Sequence, residues 1–251
     1  MVEAQYLELP YLKNFHHCFL AGCDEVGRGP LAGPVVGACV TFSPETSEEG
    51  EKGKEVFSFL RQLGVQDSKA LTQKKRLALL EKLGIDVKKL KSKKNFTFPL
   101  EEMKNFRFAI EQVSPADIDK INIFQASLLT MKRAFFYSID KDAIKKEGQD
   151  RGLLFVDGKF SPSGLDPYAE VAPVIKGDSK VVLIALASII AKEYRDYLMD
   201  EWEKHYPGYG LSQHKGYPTK LHLQAIKEIG PSPIHRKTFK GVKEFYEGPQ
   251  G

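Results

Sequence analysis

The residues best suited to do chemistry in this chain are two adjacent acids, Asp24 and Glu25, which directly follow a short apolar run. Close behind them come Gly27, Arg28 and Gly29, so that an arginine stands between two glycines. Carboxylates at the end of a buried strand are costly unless a cation meets them. Glycine permits close approach of the backbone to a ligand, and arginine carries a fixed charge that suits phosphate. The hexapeptide DEVGRG therefore indicates a site for metal, backbone and phosphate contacts, or else a strand end followed by a polar loop.

Two further acids follow predicted strands in the same way. Asp157 comes after the apolar run 153–156 and precedes a glycine, and Asp178 follows a predicted strand at 171–175. Taken singly, an aspartate followed by glycine, as at Asp157, is also typical of a plain turn, and Asp178 could simply cap the helix that follows it. Acids at the ends of neighbouring strands would repel one another unless a cation held them. A ligand set made of oxygen alone favours Mg²⁺ or Mn²⁺, and two such ions suit in-line displacement at phosphorus.

Composition indicates an ordinary globular protein with a mild basic bias. The chain has 251 residues, 42% hydrophobic and 28% charged, with a net charge of +4, which permits a nucleic-acid partner without requiring one. Its cysteines, Cys18, Cys23 and Cys39, form no CxxC pair, as expected in a reducing compartment. The start of the chain lacks the pattern of a signal peptide, and the apolar run 181–191 is too short to span a bilayer. We expect a cytoplasmic protein without a membrane partner.

The order of hydrophobic patterns predicts a mixed α/β architecture in which helices lie between and after strands. Strands are predicted at 16–24, 34–42, 106–113, 153–157 and 171–175, and helices at 72–83, 122–139, 181–205 and 219–229. Segment 43–58 is predicted to be an exposed insertion, and the lysine-rich stretch 88–94 a solvated surface. We divide the chain into an N-terminal arm (1–15), a catalytic domain (16–206) and a C-terminal helical extension (207–251).

Short motifs spread along the chain resemble the signature of the ribonuclease HII family and occur in the family's order. They are DEVGRGPLAGPV at 24–35, DSK at 67–69, NIF at 122–124, VDG at 156–158, KGD at 176–178, ASIIAK at 187–192, RD at 195–196, HKGY at 214–217 and PIHR at 233–236. The resemblance implies a ribonuclease H-like mixed sheet flanked by helices, with a C-terminal helical extension. It also implies a metal-dependent endonuclease.

The implied activity is cleavage on the 5′ side of ribonucleotides embedded in duplex DNA, and cleavage of RNA in RNA–DNA hybrids. Hydrolysis assisted by two Mg²⁺ or Mn²⁺ ions would leave 3′-hydroxyl and 5′-phosphate ends, in the service of removing ribonucleotides from DNA. Carried over by position, the four metal-binding acids of the family fall on Asp24, Glu25, Asp157 and Asp178.

The resemblance also assigns substrate-binding residues. The loop that senses the ribose 2′-hydroxyl falls on Gly27, Arg28 and Gly29, and the tyrosine that packs on the following sugar falls on Tyr217. We rank Lys69 first among residues that would contact the nucleic-acid backbone. Further candidates for such contacts are Lys176, Lys192, Lys215 and Arg236, and the histidines His214, His222 and His235 are not expected to be metal ligands.

Two other functions fit the same chain less well. A nucleic-acid binding module that has lost cleavage would not need all four acids. Ribonuclease HIII, the sister enzyme, normally carries an extra N-terminal domain, and the Gly-Arg-Gly loop with Tyr217 belongs to the HII pattern. We expect a monomer, with RNA–DNA hybrids and ribonucleotide-containing duplexes as substrates and a sliding clamp as a candidate partner.

Overall fold

One mixed sheet forms the centre of the molecule. The computed structural model describes residues 7–13, 18–44, 47–66, 68–139 and 151–247, and six strands lie within them. The strands are β1 (Leu20–Val26), β2 (Val35–Phe42), β3 (Lys94–Thr97), β4 (Phe106–Val113), β5 (Gly152–Asp157) and β6 (Ala169–Val174). Their order across the sheet is β3-β4-β2-β1-β5-β6, in which β1, β5 and β6 are parallel and the β1–β2, β2–β4 and β3–β4 pairs are antiparallel.

Helices cover both faces of this sheet, which confirms the predicted α/β class. The described residues contain α1 (Leu9–Lys13), α2 (Ser47–Gln62), α3 (Gln73–Lys82), α4 (Pro115–Ile121), α5 (Ile123–Ser138), α6 (Val182–His205), α7 (Leu211–His214) and α8 (Lys220–Ile229). The two principal packing helices are α5 and α6, which lie on opposite faces of β1 and β2. The first half of α6 is apolar on every side and completely buried, as expected of a central helix.

Close packing between β1 and α6 depends on one glycine. A methyl group added to Gly22 would lie 2.5 Å from the backbone nitrogen of Ile184, so no larger residue fits between the strand and the helix. Asp24 lies two residues further along β1 on the same face, and Ser188 lies one turn further along α6. The glycine therefore brings the first acid against a polar residue of the buried helix.

Helix boundaries follow the capping residues that the sequence contains. The hydroxyl of Thr72 accepts a hydrogen bond from the N–H of Lys75 at 3.4 Å, and Asn122 accepts one from the N–H of Gln125 at 3.0 Å. Predicted strand 106–113 has the observed bounds of β4, and the predicted helices 122–139 and 181–205 match α5 and α6 to within one residue.

Segment 43–58 requires a correction. Instead of an exposed insertion, the chain forms α2, in which Phe57 and Leu60 are completely buried. The Phe57 ring lies 5.7 Å from the ring of Phe42 at the end of β2. Lys52 and Glu55 are exposed, whereas Gly53 is buried, and a methyl group on it would lie 2.6 Å from the Phe42 ring, so the polar composition concealed a face that packs inward.

The lysine-rich stretch 88–94 is a solvated surface as predicted, since all five of its lysines are exposed, and its last residue, Lys94, begins β3. This short edge strand leaves Lys94, Asn95 and Thr97 exposed, while the ring of Phe96 stacks on Phe108 at 5.1 Å. The sequence of this edge strand resembles that of a loop, because only Phe96 packs inward and the strand therefore lacks a hydrophobic pattern.

The C-terminal region packs against the end of α6 and against the segment that follows β1. Its apolar cluster joins Leu31 and Ala32 to Met199, Leu211 and Ile226. Asp67, residues 14–17 and the tail from 248 onward lie outside the described residues, and the division at 15 and 206 stays a prediction. Within the described chain, no helix is both long enough and apolar enough to cross a membrane.

Candidate active site

The candidate acids converge because three parallel strands end at the same edge of the sheet. On β1, Cys23 is paired with Val156 of β5, so Asp24 and Asp157 are the next residues on neighbouring strands. Asp157 is in turn paired with Val174, the last residue of β6. The carboxyl ends of parallel strands are the usual location of sites in open α/β sheets.

The remaining two acids flank this pair. Asp178 lies in a single turn of 3₁₀-helix, Gly177–Ser179, which follows β6 and leads into α6. Glu25 is next to Asp24 on β1 and points toward the opposite face, because side chains alternate along a strand. There it lines a small cleft of about 40 Å³ together with Asp157 and Phe160. The four acids thus surround the ends of β1, β5 and β6.

Asp24 is the most deeply placed of the four. Only 6% of its surface is exposed, and one carboxylate oxygen accepts the N–H of Glu25 at 2.7 Å. Burial raises the pKa of Asp24 well above its ordinary value, and the charges of Glu25 and Asp157 raise it further, against a hydrogen bond from Ser188 that lowers it. The site therefore holds a carboxylate that is unfavourable when ionised without a nearby cation.

Glu25 is held in a similar state by its surroundings. Burial is the main reason that its pKa is raised to about 7, and the charge of Asp157 adds to the effect. The guanidinium of Arg28 lies 3.5 Å from a Glu25 oxygen and lowers this pKa. Because the side chain of Arg28 is 55% exposed, its charge also faces solvent, where a phosphate could approach.

Asp157 and Asp178 are fixed by the turn between β6 and α6. A carboxylate oxygen of Asp157 accepts the N–H of Gly177 at 2.7 Å, and Lys69 Nζ lies 3.7 Å from an oxygen of Asp178. At the start of α6, the N–H of Val182 donates to a carboxylate oxygen of Glu8, so the N-terminal segment supplies one cap of this helix.

The donor set fits a hard divalent cation. All four side chains offer carboxylate oxygens, which suit Mg²⁺ and Mn²⁺ as ligands. Burial, together with the charges of neighbouring acids, raises the pKa values of Asp24 and Glu25, and a bound cation would stabilise their ionised forms. Across the described part of the chain, no three or more His, Cys, Asp or Glu side chains are already arranged as a metal centre. The fit therefore depends on donor chemistry and on the accumulated charge.

The Gly-Arg-Gly loop leaves β1 in a conformation that requires glycine. Gly27 has φ of +92°, and a methyl group on it would lie 2.3 Å from Nε of Arg195. A methyl group on Gly29 would instead lie 3.6 Å from Cε1 of Tyr217, which is ordinary contact distance. Tyr217 comes from the C-terminal region, more than 180 residues later, and its side chain is 40% exposed. The fold thus brings the loop and the tyrosine together.

Several basic residues predicted to contact the nucleic-acid backbone have other partners. Arg236 is completely buried, so that prediction was wrong for it. Both carboxylate oxygens of Asp196 accept from Lys192, at 2.6 and 2.7 Å, and Lys215 donates to Asp200. Lys69 differs from these, because its side chain is 84% exposed beside Asp178.

Sequence patterns did not identify the residues that support the site. Ser188 hydrogen-bonds with Ser68 at 2.9 Å besides contacting Asp24, and Arg195 is completely buried behind the loop. Both belong to motifs that match the family signature, so their position in a motif was the available signal. The three predicted non-ligand histidines form a stacked and hydrogen-bonded group behind Tyr217.

Comparison with known proteins gives one consistent result. A family model described as Ribonuclease HII matches residues 21–242. A ribonuclease HII of Vibrio vulnificus (strain YJ016) is 40% identical over 247 residues, covering 97% of each chain. A ribonuclease HII of Nitrosococcus oceani is 39% identical over 229 residues, covering 91% of this chain and 92% of the relative.

Solved structures show the same fold. The ribonuclease H2 of Pyrococcus horikoshii OT3 superposes with a TM-score of 0.60 at 24% identity, covering 91% of this chain and 97% of that chain. The ribonuclease HII in a PCNA:RNase HII complex from Archaeoglobus fulgidus gives a TM-score of 0.57 at 25% identity, covering 88% of this chain and 95% of that chain. With the family model spanning most of its length and relatives near 40% identity, the chain belongs to the ribonuclease HII family of nucleases.

Proposed function

We propose that this enzyme cleaves RNA in RNA–DNA hybrids and cuts on the 5′ side of ribonucleotides embedded in duplex DNA, as a step in their removal from DNA. Membership of the ribonuclease HII family supports the first part. The observation that carries the second part is that Tyr217 lies close to the loop that follows Asp24 and Glu25, since a methyl group added to Gly29 would lie 3.6 Å from its ring.

The cutting residues in this proposal are the four acids. Asp24, Glu25, Asp157 and Asp178 would hold two Mg²⁺ or Mn²⁺ ions, which would supply an activated water and stabilise the leaving oxygen. Asp24 is the anchor, because the backbone of Glu25 and the hydroxyl of Ser188 orient its carboxylate. Attack by water leaves a 5′-phosphate and a 3′-hydroxyl.

Residues 27–29 choose the position of the cut. The 2′-hydroxyl is both donor and acceptor, and it distinguishes a ribonucleotide from its deoxy counterpart. A backbone loop with glycine at Gly27 and Gly29 approaches the sugar closely and offers N–H and C=O groups to that hydroxyl. A site of this kind rejects deoxyribose strongly, because its own polar groups are then left without partners.

Tyr217 completes the selection of a ribonucleotide followed by DNA. Its exposed ring packs on the sugar of the next nucleotide, where a 2′-hydroxyl would crowd it. Arg28 and Lys69 contribute positive charge for phosphates on either side of the acids, since both side chains extend into solvent there.

We extend the proposal to location and partners. We propose a cytoplasmic location, and the buried thiols of Cys23 and Cys39, which are free, fit a reducing compartment. A sliding clamp is the protein partner that we propose, because one similar solved structure is a PCNA complex. Phe245 and Tyr246, each 47% exposed near the end of the described chain, provide an aromatic contact for it. The enzyme would act as a monomer.

The experiment compares a duplex that carries one ribonucleotide with the all-DNA duplex of the same sequence, each incubated with Mg²⁺ or Mn²⁺. We expect a nick in the first and none in the second. If both duplexes stay intact while an RNA–DNA hybrid is still cleaved, cleavage at embedded ribonucleotides is ruled out and only cleavage of hybrids remains.

A further inference from the structure

A short segment of the C-terminal region lies antiparallel to the segment that follows the Gly-Arg-Gly loop. The N–H of Arg236 donates to the carbonyl of Leu31 at 2.8 Å, and the N–H of Gly33 donates to the carbonyl of Ile234 at 2.9 Å. Between them, His235 forms an isolated β-bridge with Ala32. Two adjacent side chains, His235 and Arg236, are thereby fixed next to the loop.

Arg236 holds the loop through its backbone carbonyls. The guanidinium donates to the carbonyls of Gly27 at 2.6 Å, Arg28 at 2.9 Å and Gly33 at 3.0 Å. Throughout the described chain, every hydrogen-bond acceptor of this guanidinium is a backbone carbonyl. Burial, with the nearby charge of Arg195, lowers the pKa of Arg236 to about 9, so it stays charged at neutral pH. A rigid fork of donors suits several fixed carbonyls.

Arg195 supports the same loop from the other side. It donates to the carbonyls of Ala32 at 3.0 Å and Pro34 at 2.9 Å, and to that of Lys215 at 2.9 Å. The chain around Lys215 is also tied directly to the loop segment, since the N–H of Leu31 donates to the carbonyl of Gly216 at 2.7 Å. The loop and the residues just before Tyr217 therefore share one buried frame.

His235 reaches Tyr217 through a second histidine. Nε2 of His235 lies 3.0 Å from Nε2 of His222, and Nδ1 of His222 lies 3.0 Å from the carbonyl oxygen of Tyr217. Because a carbonyl only accepts, His222 carries its proton on Nδ1, and its Nε2 must accept from His235. The chain of hydrogen bonds therefore runs from His235 to His222 to Tyr217.

The other side of the His235 ring agrees with this assignment. The N–H of Ser232 donates to Nδ1 of His235 at 3.0 Å, which leaves the proton on Nε2. The carbonyl of Ser232 lies further from that nitrogen, at 3.3 Å, and already accepts the backbone N–H of His235 at 3.0 Å. Burial lowers the pKa of both His222 and His235 to about 4, so both rings are neutral at physiological pH.

From these contacts we infer that the dipeptide His235–Arg236 is a positioning element that fixes the Gly-Arg-Gly loop and Tyr217 relative to each other, and so determines selectivity for a ribonucleotide followed by DNA. Arg236 fixes the loop, and His235 fixes the tyrosine backbone through His222. The inference rests on the proposed roles of the loop and of Tyr217. Neither side chain is proposed to touch the substrate.

The first experiment measures selectivity, defined as kcat/KM on a duplex with one ribonucleotide divided by kcat/KM on a long RNA–DNA hybrid. Arg236→Lys keeps the charge but cannot supply the fork that reaches all three carbonyls, and we expect selectivity to fall about tenfold or more. Arg133→Lys, an exposed position on α5, is the matched control and should leave selectivity unchanged. Unchanged selectivity in Arg236→Lys, or equal losses on both substrates, overturns the inference.

Two substitutions at His222 separate positioning from packing. His222→Asn places an amide N–H near the position of Nδ1 and can still donate to the Tyr217 carbonyl, whereas His222→Phe fills the space without a donor. We expect the larger loss of selectivity, about tenfold, for the phenylalanine variant, and a smaller loss for the asparagine variant, which keeps the donor to Tyr217 but lacks the Nε2 that accepts from His235. The inference is overturned if the loss of selectivity in the two variants matches their loss of unfolding free energy and does not depend on whether residue 222 can donate to the Tyr217 carbonyl.

A measurement without substrate tests the relay directly in the full chain. Long-range ¹H–¹⁵N correlation spectra at pH 7 should show His222 with its proton on Nδ1 and His235 with its proton on Nε2. The opposite tautomer on either ring, or a charged ring, overturns the relay. Tyr217→Ala, measured beside Arg236→Lys, separates failure of this inference from failure of the proposed function. If only Tyr217→Ala changes selectivity, the inference fails and the proposed function stands. If neither variant changes selectivity, the proposed function fails.

Discussion

The carboxylate of Asp157 accepts the backbone N–H of Gly177 at 2.7 Å, which ties the end of β5 to the turn that carries Asp178. Packing leaves little freedom in this turn, because a methyl group on Gly177 would lie 2.5 Å from Cδ1 of Ile184 on α6. One acid of the candidate site therefore sets the position of another. This geometry explains why a polar turn between β6 and α6 can hold a carboxylate in a fixed place.

Asp24→Asn should abolish cleavage while leaving the metal-free protein more stable. We expect activity to fall by roughly a thousandfold or more, because the metal ions that would activate the water and stabilise the leaving oxygen lose a charged ligand. At pH 8 without metal, unfolding free energy should rise by about 1 kcal/mol, since burial and the neighbouring acids raise the pKa of Asp24 and so penalise in the folded protein the ionised form that prevails in the unfolded chain. Urea unfolding and a hybrid cleavage assay measure both effects.

Asp166→Asn provides the matched control for this prediction, because Asp166 is an exposed aspartate away from the acids. It should change neither activity nor unfolding free energy by more than about 0.5 kcal/mol. Full activity in Asp24→Asn would contradict the assignment of the cutting residues, and lower stability in the metal-free variant would contradict the charge repulsion.

Gly27→Ala should disrupt the loop more than an alanine at another glycine with positive φ. Gly27 has φ of +92° and Gly64 has φ of +89°, so backbone strain is similar at the two positions. At Gly64 the methyl group meets nothing within 4 Å, whereas at Gly27 it would lie 2.3 Å from Arg195. We expect Gly27→Ala to cost about 1–3 kcal/mol more stability than Gly64→Ala, and to lower cleavage at a single ribonucleotide.

Thermal unfolding and cleavage of the one-ribonucleotide duplex test this pair together. Equal losses of stability in the two variants would show that Arg195 yields to the added methyl group. The close contact between the loop and its buried frame would then no longer explain the glycine.

The acids were predictable from sequence because each follows a short apolar strand, so their convergence needed only a parallel arrangement. Arg236 was misassigned because a charged residue in a loop looks solvent-exposed, and nothing local shows that its partners are carbonyls at residues 27–33, some 200 positions away. Similarly, α2 was missed because its first half is rich in Ser, Glu, Gly and Lys, and its apolar residues come only near its end, at 56–60. Tertiary structure determines which distant polar groups pair and which face of a helix packs inward, and local sequence patterns do not contain that information.

Tyr217→Ala should impair cleavage at a single ribonucleotide more than cleavage of a hybrid. The reason is that the ring is proposed to pack on the sugar that follows the ribonucleotide, and alanine removes this ring. Tyr217→Phe is the matched control and should retain most of the activity on both substrates. Because the side chain is 40% exposed, neither change should alter the unfolding free energy by more than about 0.5 kcal/mol. Equal loss on both substrates in the alanine variant would count against the assigned role.

Acid should weaken the histidine group behind Tyr217. Burial holds the pKa of His222 and His235 near 4, below the ordinary value of 6.5, so the unfolded chain binds protons first as the pH falls. Their contribution to stability is complete above pH 6.5 and is lost as the pH falls toward 4. We therefore expect the unfolding free energy of the wild type to fall relative to that of His222→Asn over this range.

Urea unfolding at a series of pH values measures this difference. Glu8, whose pKa is raised to about 7 by burial, contributes the opposite slope but is present in both proteins, so it cancels. A difference that stays constant from pH 7 to pH 4.5 would mean that the His222 ring is not neutral in the folded state.

The most direct test of the central claim maps the cut on a duplex with one embedded ribonucleotide, at single-nucleotide resolution, with Mg²⁺ and with Mn²⁺. We predict a single nick on the 5′ side of the ribonucleotide that leaves 3′-hydroxyl and 5′-phosphate ends, with no nick in the all-DNA duplex. A cut on the 3′ side, ends of the opposite kind, or equal cleavage of the all-DNA duplex would contradict the assignment of the acids to cutting and of residues 27–29 to its position.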